Sequence, residues 1–312
     1  MILFTADIHL CLRQKNIPAA WSVKRYRSFF EQVHAIEADL HIIGGDLFDR
    51  MPSLEELDLY FEFIRGIKIP TIIYSGNHCA ISKNLSFLSY LKGVTETLNP
   101  LVEVVLEVTT RDGFNIVPYE FIKKKEVWEK LEPLPTFTHI RGEIPPHVKP
   151  EINLEWLDKF PVVFAGDLHS HSNTQRNIIY PGSPMTTSFH RSKVETGYLL
   201  IDLDWGWVWK PFDLPQLIRK TVTDPALMVP TDYDLTIYEL EGNIKDLSKV
   251  EHSELLDKKI IKRASDTVLV LDKKLTISEE LVEYLRYIQE LPDEEIDSIL
   301  GVFHEYDHTS QD

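Results

Sequence analysis

Residues 38–49 read ADLHIIGGDLFD, and this stretch decides the fold class. The apolar run Leu40–Ile43 leads directly into Gly44-Gly45-Asp46, which is the pattern of a buried strand that ends in a tight turn carrying a carboxylate. Buried strands of parallel sheets tolerate continuous runs of Ile, Val and Leu instead of strict alternation. Leu40–Ile43 therefore predicts a central strand with Asp46 beyond its carboxyl end.

The same arrangement recurs elsewhere in the first two-thirds of the chain. Short apolar runs end in polar residues at Ile2–Phe4 before Asp7 and His9, Thr71–Tyr74 before Gly76-Asn77-His78, and Val162–Ala165 before Gly166-Asp167-Leu168-His169. Helical spacing over Trp21–Ala38, and a Ser cap with an acidic first turn at Ser53–Ile64, predict helices between strands. Alternating strands and helices predict an α/β domain, whose ligands bind outside the carboxyl ends of the strands.

The pattern changes after residue 170. We predict strands at Asn177–Tyr180, Gly197–Asp202 and Trp205–Trp209, then a domain boundary in the proline-punctuated stretch Pro211–Pro215, and further strands at Leu235–Leu240 and Thr267–Leu271. A capping-box spacing at Thr276–Glu279 and a break at Pro292 predict two C-terminal helices. The predicted domains are 1–212, 213–275 and 276–312.

Composition limits the class of protein. The chain has 312 residues with 33 Lys and Arg against 49 Asp and Glu, a formal net charge of −16. That balance argues against a generally basic nucleic-acid-binding surface, although bound metal ions can supply local positive charge. The two cysteines, Cys11 and Cys79, suit a reducing cytosol. We expect neither a membrane span nor a signal peptide.

The polar residues at the strand ends suggest a metal centre. Asp7, His9, Asp46, Asn77, His139, Asp167 and His169 offer oxygen and imidazole donors without thiolate, which suits Mn²⁺, Mg²⁺, Fe²⁺ or Zn²⁺. They are too numerous for one tetrahedral zinc, whereas two ions bridged by a carboxylate accommodate them. Taken singly, an Asp-x-His pair or a Gly-Asp turn is an ordinary surface feature. Their occurrence in this order favours the metal site.

The order DxH, GDLFD, GNH, a lone His and GDLH, followed by Tyr180-Pro-Gly-Ser-Pro184, resembles the calcineurin-like metallophosphoesterases, and among them the SbcD-type nuclease subunits of DNA repair and phage recombination. The motifs cover about residues 1–210. The resemblance implies a two-sheet α/β sandwich flanked by helices, with a small α+β cap domain and C-terminal helices.

The resemblance also implies roles for single residues. Asp7, His9, Asp46 and His169 would bind one metal ion, and Asp46, Asn77, His139 and Asp167 the second, with Asp46 bridging. His78 takes the position of the catalytic histidine, which is not a ligand. The implied cofactor is a pair of divalent ions, Mn²⁺ with Mg²⁺ as the alternative.

Two positions depart from the family pattern. Relatives carry His where this chain has Asp167, so two divalent ions (+4) with Asp7, Asp46 and Asp167 (−3) leave +1, against +2 with histidine. We expect Asp167 to hold the second ion more tightly and to reduce its pull on phosphate. A different register, pairing His169 with His171, is the alternative. Relatives also carry an acid where this chain has Cys79, and that acid orients the catalytic histidine.

Weaker candidates surround these motifs. Arg13, Lys24, Arg25, Arg27, His190 and Arg191 are candidate DNA contacts, although a solvated helix face also explains the first four. Asp49 either caps the following helix or supports the site. Trp205, Trp207 and Trp209 alternate at strand period and are typical of sheet packing.

The resemblance implies a cytoplasmic enzyme, in a setting that includes a phage-infected bacterium. It would be an exonuclease on duplex ends and an endonuclease on single strands. Its implied partners are DNA and an SbcC-type, SMC-like ATPase, with the chain a homodimer within a heterotetramer. The cap would face DNA and the C-terminal helices would bind the ATPase. The alternatives are another binuclear phosphoesterase, acting on phosphoproteins, cyclic nucleotides or nucleotides, and a non-catalytic scaffold.

Overall fold

The secondary structure is known from a computed structural model that describes residues 1–82, 85–261, 276–289 and 291–308. The strands are β1 (Ile2–Thr5), β2 (Leu40–Gly44), β3 (Thr71–Tyr74), β4 (Ala80–Ser82), β5 (Leu85–Ser86), β6 (Val102–Val105), β7 (Thr109–Arg111), β8 (Phe114–Val117), β9 (Thr136–His139), β10 (Val163–Gly166), β11 (Ile178–Ile179), β12 (Gly197–Ile201), β13 (Trp207–Pro211), β14 (Leu217–Val222), β15 (Leu235–Gly242) and β16 (Leu256–Ile261). The helices are α1 (Ala19–His34), α2 (Leu54–Gly66), α3 (Leu88–Leu98), α4 (Lys125–Lys130), α5 (Ile244–Lys249), α6 (Ile277–Glu283) and α7 (Asp293–His308).

Two mixed sheets form the centre of the fold. The first has the strand order β13-β12-β1-β2-β3-β6, in which β1, β2, β3 and β6 are parallel and β12 pairs antiparallel with both β1 and β13. The second has the order β11-β10-β9-β8-β7, parallel except for β7. The parallel strands of each sheet end at a common edge, where ligands of α/β proteins bind.

The two sheets face each other across an aromatic layer. Phe4 of the first sheet meets Phe137 and Phe164 of the second, with ring centroids 5.3 and 6.2 Å apart. All three rings are fully buried. Each fully buried phenylalanine of this kind stabilises the fold by about 1.5–3 kcal/mol through the apolar surface it removes from water. This layer fixes the spacing between the sheets, and therefore between the strand ends that they present.

Helices cover the outer faces of the sandwich. Phe29 of α1 and Phe63 of α2 pack in one apolar cluster with Leu3 and Ile43 of the first sheet. Trp128 of α4 lies in another cluster with strands of the second sheet. The α/β class and the two-sheet sandwich flanked by helices are thus confirmed.

The predicted strands that fall within the described residues are found, with shifts of at most two residues at their ends. Helix α2 begins after Ser53, whose hydroxyl accepts from Glu56 N while Glu56 Oε2 accepts from Ser53 N, which completes a capping box. Helix α1 ends at His34, four residues before the predicted end at Ala38. Strands β6, β7 and β8 and helix α3 lie in a region for which the motifs predict no elements.

A third sheet has the order β14-β15-β16, with Leu217–Val222 parallel to Leu235–Leu240. Contacts divide the chain into two compact units, one of Met1–Leu240 with His252–Lys258 and one of Glu241–Glu251 with Lys259–Asp312. The predicted strand Thr267–Leu271 lies outside the described residues. The predicted boundaries at 212 and 275 remain predictions.

The second unit contains the predicted pair of C-terminal helices. Thr276 caps α6 with the expected capping box to Glu279, a π-helical turn follows at Tyr284–Ile288, and α7 begins at Asp293. Leu285 and Ile296 are buried, whereas Ile299 and Val302 of α7 are exposed. None of the described helices is long and apolar enough to cross a membrane.

Candidate metal centre

The side chains predicted as metal ligands gather at the carboxyl edge of the two sheets. Asp7 follows β1, Asp46 follows β2, His139 ends β9 and Asp167 follows β10. Among the described residues, three groups have ligand atoms within 4.8 Å of one another: Asp7, His9 and His169; His9, Asp46 and His78; and Asp7, Asp46 and His139. Five of the seven predicted ligands and the predicted catalytic histidine are therefore close together, and contacts with Asp46 and His139 place Asn77 and Asp167 beside them.

The glycines of the motifs allow this close approach. A Cβ atom at Gly45 would collide with the His139 ring, and φ at Gly45 is +85°. A Cβ at Gly76 would collide with the Asp46 carboxylate. Side chains at these positions would push the strand ends apart, so the glycines are required by the packing of the ligands around them.

Four of the predicted ligands have strained backbones. Asp7, His9, Asp46 and Asp167 have φ values of +57°, +48°, +46° and +93°. This left-handed region is unfavourable for residues other than glycine, and asparagine or aspartate tolerate it best. Such strain persists only where the surrounding structure enforces it, and it concentrates at functional sites.

One group of four atoms converges on a single point. The amide oxygen of Asn77 lies 2.9 Å from Asp46 Oδ2, 3.1 Å from Asp167 Oδ1 and 2.9 Å from His139 Nε2. His139 Nδ1 donates to the Gly44 carbonyl at 2.9 Å, which leaves Nε2 directed at the group. A proton on Nε2 could form hydrogen bonds with only some of these atoms, whereas a cation at their centre could be coordinated by all four.

The orientation of Asn77 depends on what occupies this point. A rotated amide would donate its NH₂ to Asp46, Asp167 and His139, which would satisfy them without an ion. With a divalent ion at the centre, the amide oxygen is the ligand that hard cations prefer. We call the group of Asp46, Asn77, His139 and Asp167 the inner position.

A second group lies closer to the surface. His9 Nε2 lies 3.0 Å from His169 Nε2, a contact between two ring nitrogens that a cation between them would explain. His9 Nδ1 donates to Asp49 Oδ1 at 3.2 Å and His169 Nδ1 contacts Thr187 Oγ1 at 3.1 Å, so both Nε2 atoms are oriented towards the same place. We call the group of Asp7, His9, Asp46 and His169 the outer position.

Asp46 links the two positions. Its Oδ2 lies 3.3 Å from His139 Nε2 and 3.8 Å from His9 Nε2, while its Oδ1 accepts from the His78 backbone N–H at 2.9 Å. Asp7 is also close to both, with Oδ1 3.9 Å from His9 Nε2 and 4.0 Å from His139 Nε2. The geometry fits two cations with a shared carboxylate.

The electrostatics of the cluster also favour a cation. Burial raises the pKa of the Asp7 carboxyl to about 6. Burial opposes a charged His139, but the Asp46 carboxylate outweighs it and raises the pKa of His139 to about 10. Burial likewise acts against an ionised Asp46, but His139 lowers the pKa of Asp46 to about 2. Three buried carboxylates thus hold a positive charge among them, which is the role that divalent ions would take.

His78 borders the cluster from the solvent side. Its ring meets the His9 ring edge-on at a centroid distance of 4.8 Å, and its Nδ1 donates to the Asp49 carbonyl oxygen. Asp49 therefore supports both His9 and His78, and Ser53, not Asp49, caps α2. The hydrogen bond from His9 lowers the pKa of the Asp49 carboxyl.

Cys79 occupies a different environment from the one that a histidine-orienting acid would need. Its side chain is fully buried in the same apolar cluster as Phe87 and Leu88, and burial raises the pKa of its thiol. Orientation of His78 falls instead to the Asp49 main chain.

Sequence reasoning missed Arg141. Its Nε donates to Asp167 Oδ2 at 2.8 Å and its Nη2 donates to Asp167 Oδ1 at 3.1 Å. The signal that could have found it is strand register: β9 and β10 pair in parallel with His139 opposite Gly166, so the residues just beyond each strand are neighbours. Thr187, the partner of His169, carried no sequence signal.

A groove adjoins the outer position. A cavity of about 270 Å³ has His169 in its wall, with hydroxyl side chains around it and apolar side chains such as Leu168 and Met185. The hydroxyl-bearing residues are Ser170, Ser183, Thr186, Thr187, Ser188 and Thr196. Many hydroxyls beside a metal cluster suit a substrate rich in oxygen acceptors.

The predicted DNA contacts on α1 and before it have diverse environments. Arg25 is buried, donates to the Thr186 carbonyl oxygen at 3.0 Å and stacks on Trp21. Arg27 pairs with Glu62 at 2.8 Å, and Arg13 lies 3.4 Å from Glu55. Lys24 is exposed. Their role as DNA contacts remains a prediction.

His190 and Arg191 lie beyond the groove. His190 borders the cavity, and its backbone pairs with β14 through Leu217 and Arg219. Arg191 donates to the buried carboxylate of Glu239 at 2.8 Å, which Lys258 also approaches at 2.8 Å. His171, the alternative partner of His169, stacks on Trp209 at 5.5 Å and contacts the Tyr180 carbonyl oxygen.

The chain is similar to several known proteins. The calcineurin-like phosphoesterase family model matches residues 1–171. The chain is 39% identical to the probable exonuclease subunit 1 of Escherichia phage T5, over 96% of each chain. It is 26% identical to the putative phosphoesterase 244L of Invertebrate iridescent virus 6, over 61% of this chain and 72% of that protein. A solved archaeal phosphodiesterase aligns with 68% of this chain and 99% of its own, at 15% identity and a TM-score of 0.38.

The chain therefore belongs to the calcineurin-like phosphoesterase family, a class of hydrolytic enzymes that use divalent metals. The assignment rests on the family match and on the near full-length similarity to the phage exonuclease subunit. The resemblance inferred from the motif order is thereby confirmed, as is the prediction of an enzyme.

Proposed function

We propose that this chain is a metal-dependent DNA nuclease subunit that acts on duplex ends as an exonuclease and on single strands as an endonuclease. The observation that carries the proposal is the convergence of Asp46, Asn77, His139 and Asp167 on one point beside a second group that shares Asp46. The 39% identity to a phage exonuclease subunit supports DNA as the substrate. The ions would be two Mn²⁺, with Mg²⁺ as the alternative, because the donors are oxygen and imidazole without thiolate.

The proposed ligand sets follow the two positions. Asp7, His9, Asp46 and His169 would hold the outer ion, and Asp46, Asn77, His139 and Asp167 the inner ion. When bound, such ions supply Lewis acidity and lower the pKa of water so that it can attack phosphorus. The chain supplies rigid placement of the ligands, through the Gly44 carbonyl behind His139 and Asp49 behind His9.

His78 is the proposed catalytic residue of the chain itself. Its Nδ1–H is held by the Asp49 carbonyl oxygen, which leaves Nε2 to face the substrate. From there a protonated ring would donate to the leaving sugar oxygen or to the scissile phosphate. Its ring is about two-fifths exposed, unlike that of His139, which is fully buried. A proton donor needs that access to substrate and solvent.

The proposed path of DNA leads away from the outer position. The hydroxyl-lined groove beside His169 reaches His190. The next residue, Arg191, binds the Glu239 carboxylate, which Arg219 and Lys258 also approach. Phosphate contacts of this kind position a strand without reading its sequence. Arg13, Lys24, Arg25 and Arg27 complete the proposed set of contacts, of which Arg25 would act by shaping the surface because it is buried.

The proposed partner is an SbcC-type, SMC-like ATPase, with the chain a homodimer within a heterotetramer in the cytoplasm. The phage relative is named a subunit, which supports an assembly. Residues 213–275 would be the DNA-facing cap and residues 276–312 the ATPase-binding segment. Exposed Ile299 and Val302, one helical turn apart on α7, give that segment an apolar contact face.

The proposed docking face can be tested by placing negatively charged side chains on it. Ile299→Glu with Val302→Glu should abolish co-purification with the ATPase and leave metal-dependent hydrolysis of a small phosphodiester unchanged. Ser298→Glu adds one negative charge beside this face at an exposed position of α7, and it is the control for each of the single variants Ile299→Glu and Val302→Glu. Retained binding by the double variant would exclude this face.

The nuclease proposal is tested with the pure chain and Mn²⁺ on labelled duplex DNA, single-stranded DNA and a simple phosphodiester. We expect cleavage of both DNAs, reduced on the order of a hundredfold or more in His78→Ala. His147→Ala, at an exposed histidine, is the control. Hydrolysis of small esters alone would indicate a different binuclear phosphoesterase. No hydrolysis even with the ATPase present would indicate a scaffold.

A further inference from the structure

The inner position contains an ion pair that the family pattern does not require. Arg141 contacts both carboxylate oxygens of Asp167, at 2.8 and 3.1 Å. The Asp167 side chain is only 4% exposed, whereas that of Arg141 is 44% exposed. The guanidinium therefore covers a buried carboxylate from the solvent side. This differs from a pair of two exposed side chains, which contributes little.

Asp167 is the main partner of this arginine. Both of its donating nitrogens, Nε and Nη2, bind the one carboxylate of Asp167. Glu151 lies nearby, but its carboxylate contacts Lys123 Nζ at 2.9 Å and also accepts from the Tyr119 hydroxyl. The positive charge of Arg141 is thus directed chiefly to Asp167.

Asp167 also faces the point where the inner ion would bind. Its Oδ1 lies 3.1 Å from the Asn77 amide oxygen and 3.9 Å from His139 Nε2. The same oxygen accepts from Arg141 Nη2. A carboxylate oxygen has more than one lone-pair direction, so it can accept from the guanidinium and still face the ion.

We propose that Arg141 is the charge partner of Asp167, so that the two residues together give the inner position a ligand of zero net charge, as a neutral imidazole would. The inference rests on the proposed function, because it assumes that this centre binds two divalent ions. With Arg141 included, +4 from two ions, −3 from Asp7, Asp46 and Asp167, and +1 from Arg141 give +2. That equals the value for a histidine at position 167 without the arginine, and it revises the expected +1.

If Arg141 acts through its charge, each substitution should change the affinity for the inner ion in a defined direction. Arg141→Gln removes a positive charge near the inner ion, so that ion should bind about tenfold more tightly. Asp167→His removes a negative charge and leaves Arg141 without its partner, so the ion should bind at least about tenfold more weakly. The double variant restores the net charge of +2 and should return to within about threefold of the wild type.

A purely orienting role for Arg141 predicts the opposite pattern. If the arginine only held the Asp167 carboxylate in place, Arg141→Gln would weaken the inner ion beside Asp167 and would change nothing beside a histidine. Arg141→Lys keeps the charge but cannot make the two-point contact, so it should remain near the wild type under the charge account. It should bind weakly under the orienting account.

The experiment titrates the full chain with Mn²⁺ and follows free Mn²⁺ by electron paramagnetic resonance, which gives stoichiometry and affinity without any hydrolysis. Tighter inner-ion binding by Arg141→Gln, with recovery in the double variant, supports the proposal. Weaker or unchanged binding by Arg141→Gln overturns it.

If Asp167→His fails to fold, Arg141→Gln and Arg141→Lys still decide between the two accounts, because position 141 is half-exposed and should tolerate substitution. A wild-type chain that binds fewer than two ions overturns this inference together with the proposed metal centre. If the wild-type chain binds two ions but Arg141→Gln does not bind the inner ion more tightly, the inference alone is overturned.

Discussion

The inner and outer positions share Asp46 but are built differently. The inner one uses side chains closed off from water: His139 is fully buried and backed by the Gly44 main chain, and Asp167 is covered by Arg141. The outer one uses His9 and His169, whose rings are oriented by the side chains of Asp49 and Thr187, and His169 lies at the wall of an open groove. The difference lies mainly in one ligand of each set: Asp167 is covered by Arg141, whereas His169 is exposed at the groove.

The shared carboxylate is the most sensitive point of this comparison. Asp46→Asn keeps an oxygen to accept from the His78 N–H but removes the charge that both positions use. Hydrolysis should fall on the order of a thousandfold, since metal ions supply several kcal/mol of transition-state stabilisation. Hydrolysis rate and bound Mn²⁺ are measured together, with Asp204→Asn at an exposed carboxylate as the control. Retention of two ions and normal rate would mean that Asp46 does not bridge.

Removing one histidine from each position should separate them. His139→Ala and His169→Ala should each reduce bound Mn²⁺ from two ions to one. Only His139→Ala should also lower the stability of the metal-free protein, by roughly 2–4 kcal/mol, because it leaves a cavity and an unpaired Gly44 carbonyl oxygen. His169→Ala should change it by less than about 0.5 kcal/mol. Denaturant unfolding in chelator is the measurement, and equal destabilisation would contradict the distinction.

Asp49→Asn tests the support of the outer position alone. The amide keeps the size of the side chain and loses the charge that faces His9 Nδ1. Partners of this kind contribute about 10–100-fold to metal affinity, so the outer ion should weaken by about tenfold and the inner ion should not. Mn²⁺ titration resolves the two, and a loss shared equally between them would place Asp49 in a broader role.

Thr187→Val should have the smallest effect. It removes the hydroxyl that contacts His169 Nδ1 while preserving the shape of the side chain. A single hydrogen bond contributes about 1 kcal/mol, which corresponds to about fivefold in affinity for the outer ion. Thr187→Ser keeps a hydroxyl and should behave as the wild type. An equal effect from both variants would assign the change to packing.

The parts of the fold that could be predicted are those whose strands are continuous apolar runs. Leu40–Gly44 and Thr71–Tyr74 are of this kind. Because the ends of these runs are clear in the sequence, the carboxyl edge of the sheet and the glycines at that edge could be predicted as well. Strand β8 is different, because Asn115 is fully buried within it and bonds to Thr110, Thr136 and the Glu132 carbonyl oxygen. A polar residue satisfied by its neighbours resembles a loop residue in sequence, and only the fold shows its partners.

The candidate site divides in the same way. The acidic and imidazole side chains could be named from their motifs, and they do gather at one edge. Arg141 could be named only once the register of β9 against β10 was known, because its contact with Asp167 depends on that register and no motif includes it. The support of His78 by the Asp49 main chain could not be predicted, because a carbonyl oxygen carries no residue-type signal.

The left-handed backbones at Asp7, His9, Asp46 and Asp167 have a consequence for engineering. The left-handed backbone alone costs about 1 kcal/mol at each position relative to a glycine, a cost that the surrounding packing and hydrogen bonds must offset. A screen for heat resistance alone applies no selection for the carboxylate and imidazole groups at these positions, so it can lose the proposed ligands while the fold is kept. Any stabilised descendant of this protein should be selected for hydrolysis at the same time.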